Sequence, residues 1–94
     1  MEDFLPTEFY LGQNHPNPFM GKTIIKYCVP EEVRIKLEIF DGRQEKIKTL
    51  VDEIKEPGTY QVEFNPNGFG EGIYLYQLTA GSVMLTKMMT LLKK

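Results

Sequence analysis

The sequence predicts an all-β fold, an antiparallel β-sandwich of about seven strands, and three observations predict it. Chain-breaking clusters recur at short, even intervals: Asn14-His15-Pro16-Asn17-Pro18, Pro30, Asp41-Gly42, Glu56-Pro57-Gly58, Asn65-Pro66-Asn67-Gly68, Gly70 to Gly72, and Gly81-Ser82. The apolar segments between them run roughly 5–10 residues, too short for ordinary helices. Within those segments apolar and polar residues alternate, as they do when successive side chains of a strand point to opposite faces.

Glu8 to Gly12 is the first candidate strand, and the dozen residues at the N-terminus serve partly as a lead-in. Thr23 to Val29 puts Ile25, Tyr27 and Val29 on one face with Lys26 opposite. Val33 to Ile39 is cleaner: four aliphatics on one face, and Arg34, Lys36 and Glu38 on the other. Lys46 to Glu56 is ambiguous, because Ile47, Leu50, Val51 and Ile54 also fit a helical stripe. Tyr60, Val62 and Phe64 alternate with Gln61 and Glu63, and Tyr74, Tyr76 and Leu78 with Leu75, Gln77 and Thr79. In the final segment, Val83 to Leu92, the residues Leu85, Met88, Met89 and Leu92 again fall at helical spacing. Both ambiguous segments are read as strands, because Ala80-Gly81-Ser82 directly after a strand favours a hairpin and a helix would leave the sheet short of a partner. Seven such strands give a small Ig-like sandwich.

The chain has 94 residues, 26% of them charged, a formal charge of −2, one Cys and one His. That is room for one domain, residues 1–94, with little left for a deep water-excluding active site. The near-neutral total argues against nucleic acid, which needs a basic face. One Cys excludes an internal disulfide and a multi-thiolate zinc site. Met1-Glu2-Asp3 is acidic where a secretory leader is basic, so the chain taken as a whole protein reads as cytosolic.

No catalytic constellation emerges, and the expectation is a non-enzyme without cofactor. Cys28 shares the Lys26 face of a strand with nothing to lower its pKa, and His15 sits in a turn. Glu31-Glu32, Asp52-Glu53 and Glu71 lie in or beside turns, with no sign of the apolar pocket a general acid needs. Gly68-Phe69-Gly70-Glu71-Gly72 opens onto a strand and not a helix, so it reads as a turn using positive φ and not as a phosphate cradle. Asp41, Asp52, Asn65 and Asn67 leave calcium open without forming a ligand pattern. Phe64, Tyr74 and Tyr76 alternate onto the core face, while Phe9, Tyr10, Phe19, Phe40 and Phe69 stay unassigned and an exposed pair of them could serve for docking. From Gly72 onward there are three lysines and no acid, +3 against −5 for the remainder.

The motifs at both ends resemble a known family. Leu11-Gly12-Gln13-Asn14-His15-Pro16-Asn17-Pro18-Phe19, then Thr23 to Pro30, Pro57-Gly58-Thr59-Tyr60-Gln61-Val62, Gly72-Ile73-Tyr74-Leu75-Tyr76-Gln77-Leu78 and Thr86 to Lys93 occur in one order. That series resembles the type A C-terminal sorting domain of the type IX (Por) secretion system of Bacteroidetes, over roughly residues 6 to 94. The resemblance implies an Ig-like sandwich that directs an N-terminal passenger protein through the periplasm and across the outer membrane. Its partners would be the type IX translocon and a sortase-like peptidase that removes it, and the passenger would end up secreted or at the cell surface. By motif, the implied recognition residues are Gly72, Tyr74, Lys87, Met88, Leu91 and Lys93. Pro16, Asn17, Pro18, Pro57, Gly58 and Tyr60 are implied as structural, with Gly58 serving a turn after Pro57 and Tyr60 the core. On this reading the missing leader marks a tail cut from a longer exported protein, with Met1 added at the cut.

Departures are Met20-Gly21-Lys22 for Asn-Pro-Ser, His15 for Tyr, Cys28 for Ser or Asp, and a shortened turn at Asp41-Gly42-Arg43. Two other readings stay open: an Ig-like assembly module related to the flagellar hook-capping domain, and a carbohydrate-binding accessory domain of a secreted enzyme. The absence of Trp and the core placement of Tyr74 and Tyr76 count against the second. A strand left at a sheet edge also permits an edge-strand dimer.

Overall fold

A computed structural model describes residues 5–93, so Met1 to Asp3 and Lys94, on which the leader and terminal-lysine expectations bear, lie outside the described residues. It contains seven strands: β1 (Tyr10–Leu11), β2 (Thr23–Val29), β3 (Val33–Phe40), β4 (Lys46–Lys55), β5 (Gly58–Phe64), β6 (Gly72–Ala80) and β7 (Val83–Leu91). All pairings between them are antiparallel, in two sheets ordered β1-β2-β5 and β4-β3-β6-β7. This is the division of an Ig-like sandwich, with the fourth strand on the sheet of the third, sixth and seventh. The expected first strand is shorter than Glu8 to Gly12, and both segments with helical spacing are strands.

The alternation seen in the sequence becomes the core. Ile25, Tyr27 and Val29 from β2 face Ile35, Leu37 and Ile39 from β3 and Tyr76 and Leu78 from β6, all essentially without solvent contact. Burying each aliphatic of this kind contributes roughly 1.5–3 kcal/mol. Phe64 and Tyr74 are buried as expected. Of the unassigned aromatics, Phe19 is buried, Tyr10 is exposed, and Phe9, Phe40 and Phe69 are half-buried.

β4 explains its own ambiguity. Leu37 pairs with Val51 but Glu38 with Thr49, so Leu50 is an extra residue, and a second shift skips Ile47. Two bulges break the two-residue period and leave a spacing that imitates a helix.

The four-stranded sheet guards both its edges. Glu53 and Lys55 pair with Ile35 and Val33, and Lys87 pairs with Tyr76, so each charge is on the inward side of its edge strand. Inward charges on edge strands discourage edge-to-edge pairing between molecules.

Turn chemistry is only partly as expected. Gly68 and Gly81 take positive φ, 90° and 60°. Gly58 does not: it is the first residue of β5, paired with Val29, and the turn lies at Glu56 and Pro57. Between β3 and β4, Asp41 accepts N–H bonds from Arg43 and Glu45 on Oδ1, at 2.9 and 3.0 Å. The Glu45 N–H foremost, then Arg43, holds the Asp41 carboxyl below the usual carboxylate range.

Candidate functional site

The fold brings the two ends of the chain together. The segment Gln13–Phe19 runs along the outer edge of β7, about 70 residues away in sequence, where an eighth strand would pair. Residues of an edge strand alternate between groups bonded inward to the neighbouring strand and groups left open. Here the open groups from the Met88 carbonyl to the Leu92 N–H are taken. Gln13 Nε2 donates to Met88 O at 2.7 Å, and Thr90 N–H donates to Asn17 Oδ1 at 2.9 Å. Phe19 N–H donates to Thr90 O and Leu92 N–H to Phe19 O, both at 2.9 Å, closing a short parallel bridge. Met84 and Thr86, earlier on the same edge, take no part in these bonds.

Four side chains hold that segment in place. The Phe19 ring is buried and meets Phe64 edge-on, centroids 6.1 Å apart. Buried Asn14 donates from Nδ2 to Pro16 O and to Thr23 Oγ1, both at 3.1 Å, and Thr23 Oγ1 donates to Pro16 O at 2.8 Å. Tyr76 supplies the link to β6: its hydroxyl donates to Gly12 O at 2.6 Å and accepts the Asn14 N–H at 2.7 Å. Among the described residues no buried side-chain polar atom lacks a partner. The His15-Pro16 and Asn17-Pro18 bonds are both cis.

Burial, above all, pushes the Tyr76 phenol up to about 12, with Tyr10 adding to the rise and the Asn14 N–H opposing it. Tyr27 is likewise raised to about 12 by burial, then by the Glu53 charge and Tyr60. The fold favours the neutral phenols, so their contribution is complete below the ordinary value of 10 and is lost as pH climbs through about 12. Stability is expected to fall across that window by about 1.4 kcal/mol per pH unit for each tyrosine. Denaturant titrations at neutral pH and across that alkaline range measure it, and an unchanged midpoint would contradict the assignment.

The residues implied as recognition elements separate into two groups. Lys87, Met88 and Lys93 are exposed. Met88 points away from the core, on the side of its partner Leu75, and the Lys93 N–H is held at 2.9 Å by Glu71 Oε1. Tyr74 and Leu91 are buried. Tyr74 near the start of β6 donates to Gly70 O, four residues upstream, at 2.6 Å, the arrangement known in Ig-like sandwiches as a tyrosine corner. Gly72, half-buried, opens β6 at φ 152°, a conformation that disfavours a side chain.

Pro16, Asn17 and Pro18 are exposed in the clamping segment, as are Gln13 and His15. Tyr60 is half-buried and packed against the core. It stacks on Tyr27 at 5.5 Å, because its hydroxyl reaches back to Glu56 O at 2.6 Å and keeps the ring at the rim. Lys55 Nζ lies 4.8 Å from the same ring's centroid.

Sequence reasoning passed over Gln13, Asn14, Phe19, Thr23 and Thr90 as working parts. All five lie within the motifs, but nothing local shows that the partners of Gln13, Asn14 and Phe19 are on β7 and β6. Cys28 is half-buried with Sγ 3.6 Å from Thr59 Oγ1, and His15 is exposed with its backbone bridged to Ile24. Asn65 spends its side-chain oxygen on the Asn67 N–H. Among the described residues no three His, Cys, Asp or Glu side chains converge into a metal site.

A family model described as a secretion system C-terminal sorting domain matches residues 14–91. No curated protein and no solved structure matches the chain.

Proposed function

This chain belongs to the secretion system C-terminal sorting domain family, and on that premise we propose that it is a type A export signal of a Bacteroidetes type IX secretion system. Residues 1–94 then form one sorting domain at the end of a larger secreted protein, and the passenger lies N-terminal to it. The signal performs no chemistry. It is a ligand, read by the type IX translocon in the periplasm and removed by a sortase-like peptidase once the passenger has crossed the outer membrane.

The observation that carries this reading is the family match over 14–91, which spans nearly all of the clamping segment and all of β7. A partner meeting the folded domain touches Lys87, Met88 and Lys93 directly. Tyr74 and Leu91 act through the backbone they hold in place, since both are buried. Fusing residues 6–94 to a periplasmic reporter in a type IX-competent host is expected to carry the reporter to the cell surface. A reporter that stays in the periplasm overturns the proposal.

A further inference from the structure

Water-facing sheet surfaces are normally polar. The outward face of β6 and β7 is half apolar and bears no charge. Its positions Ile73, Leu75, Gln77, Thr79, Met84, Thr86, Met88 and Thr90 carry no charge, whereas β3 presents Arg34, Lys36 and Glu38 on the same side. Ile73, Met84 and Met88 are 51%, 62% and 55% exposed. The register extends the apolar surface onto β3, with Phe40 beside Leu75 and Leu75 beside Met88. A groove of about 320 Å³ opens here, lined by Phe40, Gln44, Leu75, Gln77, Met84 and Thr86.

Gln44 points to the same place independently. Among the described residues it alone is a non-glycine at positive φ, 68°. That conformation costs roughly 1–2 kcal/mol for a residue with a Cβ. Glycine would relieve it, yet a glutamine stands there and its side chain lines the groove. Backbone strain retained beside a surface groove is an outlier from which a role can be inferred.

The lining selects its occupant. An apolar floor is ringed by three neutral hydrogen-bonding groups, the Gln44 and Gln77 amides and the Thr86 hydroxyl, with Thr86 Oγ1 3.3 Å from Gln77 Oε1. No lysine or arginine lines the groove to hold a phosphate or carboxylate. Such a lining suits an uncharged polypeptide segment, its apolar side chain in the groove and its peptide groups against the amides. Methionines adapt to the shape of whatever docks on them.

Area argues against a second copy of this chain. Two strands about 4.8 Å apart and nine residues long offer roughly 300 Å², well under half of the ~800 Å² per partner that a stable interface buries. That is the scale of a transient contact. We infer that the outward face of β6 and β7 is the docking surface for a translocon protein that inserts an uncharged, apolar side chain into the groove at Met84 and Gln44. The inference rests on the export reading and names the surface that reading leaves open.

The test uses the 6–94 fusion. Met84→Lys is expected to lower surface delivery about tenfold, a loss of the size seen when a central contact is disrupted. Thr86→Lys, an independent exposed position, should do the same, and Lys26→Glu on the opposite sheet should not. Thermal melts of the purified chain identify which variants keep their fold. If folded Met84→Lys and Thr86→Lys fusions are delivered like the unaltered one, the docking surface is wrong and the export reading stands. If the unaltered fusion is not delivered, both fall. Sedimentation of the purified chain should give a monomer; a dimer that Met84→Lys dissociates assigns the face to a second copy and overturns the inference.

Discussion

Phe19→Ala is expected to lower the unfolding free energy by about 3–5 kcal/mol, the usual cost of truncating a buried phenylalanine. The ring sits at 1% exposure against Phe64, so its loss leaves a cavity that only the clamping segment could fill by moving inward. That movement is resisted, because the Phe19 N–H and C=O are both bonded to β7. The variant therefore either keeps a hole or releases the edge of the terminal strand. For a domain of this size the loss corresponds to a fall in Tm on the order of 15–30 °C. Hydrogen exchange separates the two outcomes, since release exposes the Thr90 and Leu92 amides while a retained hole does not. A Tm within a few degrees of the parent would show that Phe19 does not anchor the segment.

Tyr76→Phe removes one oxygen and leaves the shape of the core unchanged. The cost is expected to be about 2–4 kcal/mol, well above that of an average hydrogen bond. Two groups lose their partner at once: the Gly12 carbonyl, which accepts from the hydroxyl, and the Asn14 N–H, which donates to it. Both residues are buried, so neither group gains a water in exchange. A urea titration should show a lower midpoint with an unchanged slope, the signature of lost stability without a change in compactness. A midpoint equal to the parent's would mean that the hydroxyl does not bridge the segment after β1 to β6. The same variant should flatten part of the alkaline decline, because one raised phenol is gone.

The strands were legible wherever alternation was undisturbed. Ile25, Tyr27 and Val29, and Val33 to Ile39, announce their inward face because the period of a strand is two. The fourth strand was blurred by its bulges at Leu50 and Ile47, which shift the period without changing the pairing partner. The seventh was blurred for another reason. Its outward face is apolar at Met84, Met88 and Leu92, so hydrophobicity no longer marks which side is buried. The site was legible as motifs and not as contacts. Asn17 and Thr90 are 73 positions apart, and no local pattern says that one accepts the other's N–H. Tyr74 carried a readable cue, a tyrosine at the start of a strand four residues after a glycine turn, which suits the corner it forms.

On the proposed function, the terminal strand, held at its edge by the Gln13–Phe19 segment, is the signal that takes a passenger to the surface. The most direct measurement is surface labelling of the reporter in the 6–94 fusion, with and without Leu91 to Lys94. The intact fusion is expected to carry a labelled reporter, and the deletion to leave it periplasmic and unlabelled. A truncated fusion delivered as efficiently as the intact one would contradict it.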